Sequence, residues 1–232
     1  MKVFILAGGF GTRLGDLTKN LPKPLVDVNG KPIIEWVILN LKKYNLNDIT
    51  ISTHYLPEKI MNYFGDGSDL GVKISYLFEE EPLGTGGAIK KFSENIEDEK
   101  FIAINGDNLA DFNWDKIIED YNDSENKVLL TLNKVKDVSQ FGVAEILDNK
   151  IINFIEKPKP EEAPSDLINS GAYILDKELL KMLPDGKSSI ERDFFEKITK
   201  KGLISYSIHE GLWLPTDNLE RLNNAIKNWK YE

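Results

Sequence analysis

Short apolar runs ending in glycine alternate with stretches whose apolar positions recur every three to four residues. Residues 2–7 (KVFILA) form one continuous run that stops at Gly8-Gly9, with Gly11 and Gly15 beyond it. This predicts a buried strand entering a glycine-rich loop. Pro32 opens IIEWVILNLKKY, which sets Ile33, Trp36, Val37, Leu41 and Tyr44 on one helical face. Further strands are predicted over residues 48–54, 72–78 and 100–104, and helices over 57–64 and 85–92. Strands alternating with helices imply parallel βαβ units in a doubly wound α/β sheet. Beyond Asp111 the rhythm changes. Runs at 128–135, 142–147, 151–156 and 172–175 predict closely spaced strands with turns such as Asp148-Asn149, a partly antiparallel portion. Helices over 177–183 and 190–201, a strand over 203–208 and an amphipathic helix over 218–229 complete the pattern. The most linker-like stretch, KPKPEEAPS at 157–165, is too short to separate independent domains, so residues 1–232 read as one domain.

Composition narrows the chemistry. At 41% hydrophobic and 29% charged residues the chain can bury a core, which excludes overall disorder. Lys and Arg number 29 against 38 Asp and Glu, a formal net charge of −9. That balance argues against broad nucleic-acid binding, yet leaves room for a local basic pocket that takes a phosphorylated small molecule. Cysteine is absent, which removes disulfides, thiolate zinc sites and Cys nucleophiles together. No run of ~18 apolar residues suggests a membrane span, and KVFILAGG carries no secretion signal, so a cytoplasmic location is expected.

Candidate chemistry falls beyond the carboxyl ends of the predicted strands, where open α/β sheets bind ligands. The loop GGFGTR offers close backbone approach, free N–H donors and the Arg13 guanidinium, groups that triphosphate oxygens accept. It lacks the Gly-Lys-Ser/Thr of a P-loop, and Leu14 stands where a dinucleotide fingerprint has its third Gly. Taken alone it is equally a strand-to-helix turn. Pro22-Lys23-Pro24 stiffens the backbone around one Lys that could meet a phosphate or simply be solvated. Asp107 ends a strand after Gly106 and is either a Mg²⁺ ligand or a turn residue. Asp217 could be the N-cap of the last helix. His54 and His209 lack acidic partners at motif spacing and read as structural, and no Gly-x-Ser-x-Gly elbow is present.

The stretch LAGGFGTRLGDLTKNLPKPLVDVNGKPIIEW resembles the opening of the sugar-1-phosphate nucleotidyltransferases (nucleotide-sugar pyrophosphorylases). The resemblance continues through EPLGTGGA (81–88), NGD (105–107), FGV (141–143), EKP (156–158) and NSGAY (169–173), in family order. It implies a Rossmann-like, GT-A-like mixed sheet with a small antiparallel sugar-binding portion. Residues 1–111 would form the nucleotide-binding half and 112–232 the sugar-phosphate-binding half. By the same resemblance Leu6, Ala7, Gly8, Gly9, Gly11, Thr12, Glu79, Pro82, Gly84, Thr85 and Gly106 would bind the nucleotide, and Arg13 and Lys23 the reacting phosphates. Asp107 and Asp217 would hold Mg²⁺. Gly142, Glu156, Asn169 and Gly171 would hold the sugar ring, and Lys157 its phosphate. The partners would be an NTP and a sugar 1-phosphate, with no nucleic acid and no membrane; a homo-oligomer is open. The chain stops behind its last predicted helix at Lys230-Tyr231-Glu232, where a left-handed β-helix domain would have no room.

The implied activity is nucleotidyl transfer from an NTP to a sugar 1-phosphate, releasing pyrophosphate. Many uridylyl- and thymidylyltransferases of the family carry Gln three residues before the Pro of EPLG; here that place is Glu79. A carboxylate only accepts, which suits guanine N1–H and N2–H₂ or the cytosine amino group. EEEPLGTGGAIK resembles the mannose- and heptose-1-phosphate guanylyltransferases, so GTP is expected. The tail GLWLPTD, with Pro215 at the family's usual Asp and Asp217 two residues on, resembles the glucose-1-phosphate cytidylyltransferases, which with the uridylyl- and thymidylyltransferases are the alternative. A nucleotide-sugar-consuming glycosyltransferase would normally need Asp-x-Asp, and Asp107 is followed by Asn108-Leu109. A non-catalytic nucleotide-sugar sensor would be favoured by loss of Arg13 or Lys23, and both are present.

Overall fold

Apolar runs form strands and three-to-four-spaced apolar positions form helices, largely in the predicted order. The structure, a computed structural model, describes residues 1–230; Tyr231 and Glu232, at the end of the sequence reading, lie outside the described residues. In chain order the elements are β1 (Val3–Leu6), β2 (Asp27–Val28), β3 (Lys31–Pro32), α1 (Ile33–Lys43), β4 (Asp48–Thr53), α2 (Pro57–Phe64) and β5 (Lys73–Phe78). Then follow α3 (Gly84–Glu94), β6 (Lys100–Asn105), β7 (Asn108–Ala110), α4 (Trp114–Asp123), β8 (Val128–Lys134), β9 (Gly142–Leu147), β10 (Lys150–Glu156) and β11 (Leu167–Asp176). The chain closes with α5 (Lys177–Leu180), a π-helical turn (Glu191–Phe195) running into α6 (Glu196–Ile198), β12 (Ile204–Ile208), β13 (Trp213–Pro215) and α7 (Leu219–Asn228). No described helix is long and apolar enough to cross a membrane.

The chain folds as two units. The first holds Met1–Pro82, Ile104–Phe112 and the described residues from Gly211 on, so Asp217 belongs with the N-terminal loops. Within it β4 lies between β1 and β5 and runs parallel to both, with Val3 opposite Ile49 and Ile51 opposite Tyr76. Parallel strands present their carboxyl ends along one edge. The loop after β1, His54 after β4 and Glu79 after β5 therefore emerge there together. The Gly106 N–H donates to Leu6 O (2.9 Å), which ties the turn carrying Asp107 to the same edge. A cluster of Leu14, Val26, Val28, Ile33, Leu109, Leu214, Leu222, Ala225 and Trp229 fastens the loops and α7 together. The α1 face is broader than the pattern predicts. Ile34 and Ile38 are fully buried, whereas Trp36 is half-buried with its indole N–H donating to Val28 O.

The second unit holds Leu83–Ala103 and Asn113–Glu210. β8 pairs antiparallel with β11 and parallel with β12, and β9 and β10 form an antiparallel hairpin, the mixed arrangement expected after Asp111. Three elements depart from the pattern. β11 begins at Leu167 rather than 172, and its register against β8 shifts between Asn169 and Tyr173, where Gly171 takes φ +83°. The helix α4 is absent from the sequence reading because it buries only Trp114, Ile117 and Tyr121 among acidic neighbours. The predicted helix over 190–201 splits into the π-turn, α6 and a 3₁₀ turn at Thr199–Lys201.

Candidate active site

In the first unit the loop after β1 opens onto a cavity of about 280 Å³. Its lining includes Leu6, Ala7, Gly9, Gly11, Thr12, Arg13, Lys23, Asp107 and Asp217. Nine of the sequence-derived site residues thus share one hollow. Gly8 and Gly106 are not among the lining residues, and a Cβ on Gly106 would come 2.8 Å from Ile5 Cγ2.

Gly11 explains the shape of the loop. It sits at φ +64°, a left-handed conformation that favours glycine, and a Cβ there would lie 2.7 Å from Lys23 Cβ. The missing side chain lets the Pro22-Lys23-Pro24 segment press against the loop. The 3₁₀ turn Lys23–Leu25 is closed by Leu25 N–H to Pro22 O (2.8 Å) and Val26 N–H to Lys23 O (3.0 Å). This stiff turn buries the Lys23 stem, leaving the side chain 7% exposed, and delivers its ammonium to Asp107 Oδ2 at 2.7 Å. Thr216 Oγ1 donates to Asp107 O (2.6 Å) where β13 pairs antiparallel with β7, so Asp107 is held from two sides.

Asp217 is not the N-cap of α7. Asn218 fills that position, accepting from Arg221 N–H at 2.9 Å. The Asp217 carboxylate instead lies between two guanidinium groups, Arg13 (2.8 Å) and Arg221 (2.7 Å). Burial pushes its carboxyl up, but the hydrogen bond and charge of Arg221, with the charge of Lys23, outweigh it and hold the group below 3.8. Arg221 was missed in the sequence, although its spacing of four residues from Asp217 was the available signal.

Glu79 is buried, and its carboxylate packs on the loop: a Cβ on Gly8 would come 2.8 Å from Glu79 Oε1. His54 Nδ1 lies 2.8 Å from Glu79 O and its ring stands edge-on to exposed Phe10, which supports the structural reading of that histidine. Pro82 is exposed at the end of the first unit's N-terminal segment.

The remaining sequence-derived residues lie in the second unit. Thr85 Oγ1 accepts from Ile190 N–H (2.9 Å), and Gly84 has φ +68° where the Ser188 carbonyl passes close by. On the β9–β10 hairpin a Cβ on Gly142 would collide with the Phe154 ring and lie 2.9 Å from Glu156 Oε2. Lys157 Nζ is 3.4 Å from Glu156 Oε1, and the Asn169 side chain bridges Gly171 N–H (2.9 Å) and Tyr173 Oη (2.8 Å). Burial, then the Glu191 charge, raise the Glu156 carboxyl above 4.5 against the pull of Lys157 and Arg192. A carboxyl whose folded pKa is raised favours folding below its unfolded value and loses that contribution as pH rises through the folded one. Glu156→Gln is therefore expected to raise the melting temperature at pH 8 and leave it unchanged at pH 4, as thermal melts will show.

Residues 2–230 match the family described as nucleotidyl transferase. The chain is 35% identical over 94% of its length to a D-glycero-alpha-D-manno-heptose 1-phosphate guanylyltransferase of Aneurinibacillus thermoaerophilus, covering 95% of that protein. It is 32% identical over 85% of its length to a mannose-1-phosphate guanylyltransferase of Mycobacterium tuberculosis, covering 55% of it. The chain likewise spans only 50% to 60% of the length of three further relatives. The crystal structure of HddC from Yersinia pseudotuberculosis in complex with GMP-PN superposes with a TM-score of 0.83 at 33% identity, over 99% of each chain.

Proposed function

The chain belongs to the nucleotidyl transferase family, and we propose that it transfers a nucleotidyl group from GTP to a mannose- or heptose-1-phosphate, releasing pyrophosphate. The observation that carries this reading is the shared hollow of Arg13, Lys23, Asp107 and Asp217 at the glycine loop. In the reaction a phosphate oxygen of the sugar phosphate bonds to the α-phosphorus as the bond to the β-phosphate oxygen breaks. The attacking oxygen is already anionic, so no Ser, Cys or His nucleophile is required. What is required is positive charge, because two polyanions must approach in line. Arg13 and Lys23 supply it to the triphosphate. Glu156, Asn169 and the Gly142 and Gly171 backbones take the sugar, with Lys157 on its phosphate.

The donor set also fits Mg²⁺, which commonly takes one or two protein carboxylates and completes its shell with water and phosphate oxygens. Asp107 and Asp217 both line the hollow and would hold the ion. Bound there, it would withdraw charge from the phosphates and the leaving pyrophosphate.

Glu79 carries the choice of base. Its buried carboxylate can accept from guanine N1–H and N2–H₂, and the guanylyltransferase relatives support that choice. The Pro215…Asp217 tail favours CTP as the second reading. A pyrophosphate-release screen of five NTPs against several sugar phosphates tests both the activity and the base. GTP with a mannose- or heptose-1-phosphate is expected to lead it, and Glu79→Gln is expected to move the preference toward UTP or dTTP. No release from any pair would reject the activity, and an unaltered NTP profile in Glu79→Gln would remove the base-reading role.

A further inference from the structure

Ser189, Glu191 and Glu196 have no place in the reaction as described, yet two of them hold residues to which the resemblance gives one. Glu191 Oε2 accepts from Thr85 Oγ1 (3.0 Å) and from Ser189 Oγ (2.6 Å). Glu196 Oε1 accepts from the Glu156 backbone N–H at 3.0 Å. One carboxylate thus grips Thr85, which the resemblance assigns to the nucleotide, and the other the strand that presents Glu156, which it assigns to the sugar.

The backbone between them is a π-turn, Glu191–Phe195, closed by Glu196 N–H to Glu191 O. In an α-helix, residues five apart point about 140° away from one another. The i→i+5 closure of a π-turn brings them round onto neighbouring positions, and such turns concentrate at functional sites. The widened turn has a packing cause. Phe194 and Phe195 are consecutive and both 0% exposed, and Phe195 packs against Phe154 and Tyr173 with ring centroids 5.7 and 5.1 Å apart. The start of the turn is also fixed. Gly86 N–H donates to Ser188 O, Ser188 N–H to Leu83 O, and Ile190 N–H to Thr85 Oγ1, each at 2.9 Å. The close passage of Ser188 past Gly84 and Gly86 accounts for part of the glycine in GTGG without any ligand.

We propose that the π-turn is an alignment device for the two substrates, with Glu191 setting Thr85 for the nucleotide and Glu196 setting Glu156 for the sugar; this rests on the nucleotidyl-transfer reading above. Both are positioning residues. Small misplacements of a substrate contact cost far more in rate than in fold, which makes such braces effective.

The test measures KM for each substrate separately in Glu191→Ala and Glu196→Ala, with NTP dissociation by calorimetry and a thermal melt for each variant. Loss of one hydrogen bond to a charged group predicts about a tenfold change. Glu191→Ala is expected to raise the NTP KM and dissociation constant by about that factor and the sugar-phosphate KM by less than about twofold. Glu196→Ala is expected to do the reverse. Glu191→Gln and Glu196→Gln, which keep a carbonyl acceptor, should recover most of each loss. If an alanine variant fails to fold, Glu191→Asp, whose carboxylate is one methylene short of Thr85, should give the same NTP-selective rise. Equal rises in both constants, or no change in either, overturn the proposal. Should the wild type bind NTP but release no pyrophosphate, the transfer reading fails, while the calorimetric arm still decides the role of Glu191: unchanged NTP affinity in Glu191→Ala or Glu191→Asp overturns it.

Discussion

Lys23→Ala is expected to lower kcat for pyrophosphate release by about two to three orders of magnitude, the usual effect of deleting one pre-aimed donor at a site of developing charge. Lys23 is pre-aimed to an unusual degree for a lysine. Prolines on both sides, the close fit against Gly11 and a side chain only 7% exposed leave it few alternative rotamers. A flexible surface lysine would spend side-chain entropy to reach a phosphate, whereas this one has already lost that freedom on folding. The loss should therefore fall on kcat more than on the KM of either substrate. Steady-state kinetics with a thermal melt checks this; a kcat within about threefold of wild type would remove Lys23 from the chemistry.

Asp107 separates two roles that its ion pair with Lys23 combines. Asp107→Ala leaves a nearly buried ammonium without its carboxylate, and unfolding should become easier by about 1–3 kcal/mol. That figure is below the range for a fully buried pair because the Asp107 side chain is 39% exposed and solvent screens it. Asp107→Asn keeps a carbonyl acceptor for the Lys23 ammonium but not the counter-charge, so it should lose less stability than Asp107→Ala. It would remove an anionic ligand of the proposed Mg²⁺ site, so turnover should fall by about a hundredfold and the Mg²⁺ concentration for half-maximal rate should rise. Chemical denaturation and a rate-against-Mg²⁺ titration read the two effects apart. An asparagine variant with an unchanged Mg²⁺ requirement would take Asp107 out of the metal site.

Much of the first unit was legible because its signals are local. A short apolar run such as VFIL, rich in β-branched and aromatic residues and followed closely by Gly8-Gly9, points to a buried strand, and the two-proline frame of Lys23 announces stiffness. Less legible were features that depend on distant packing. The strand β11 opens as LINSG, whose polar residues and Gly171 hide an extended segment bent by a register shift. The short β7–β13 pair, which steadies Asp107, shares a buried cluster with α7 through Leu109, Leu214, Leu222 and Ala225, a distant contact that no local pattern announces. The π-turn reads as an ordinary helix in the pattern, since nothing in ERDFF alone marks an extra residue per turn. Asp217 was visible as an acid of interest, but its sharing by Arg13 and Arg221 depends on residues 204 positions apart meeting in the fold.

Fixed positive charge would let one phosphorylated substrate attack the other, with no covalent link to the protein. The stereochemistry at the α-phosphorus distinguishes this from a two-step route. A single diastereomer of the preferred NTP carrying sulfur on its α-phosphorus should yield a nucleotide-sugar of inverted configuration, as one in-line displacement demands. Retention of configuration would mean two displacements through a nucleotidyl-protein intermediate, and would rule out direct attack.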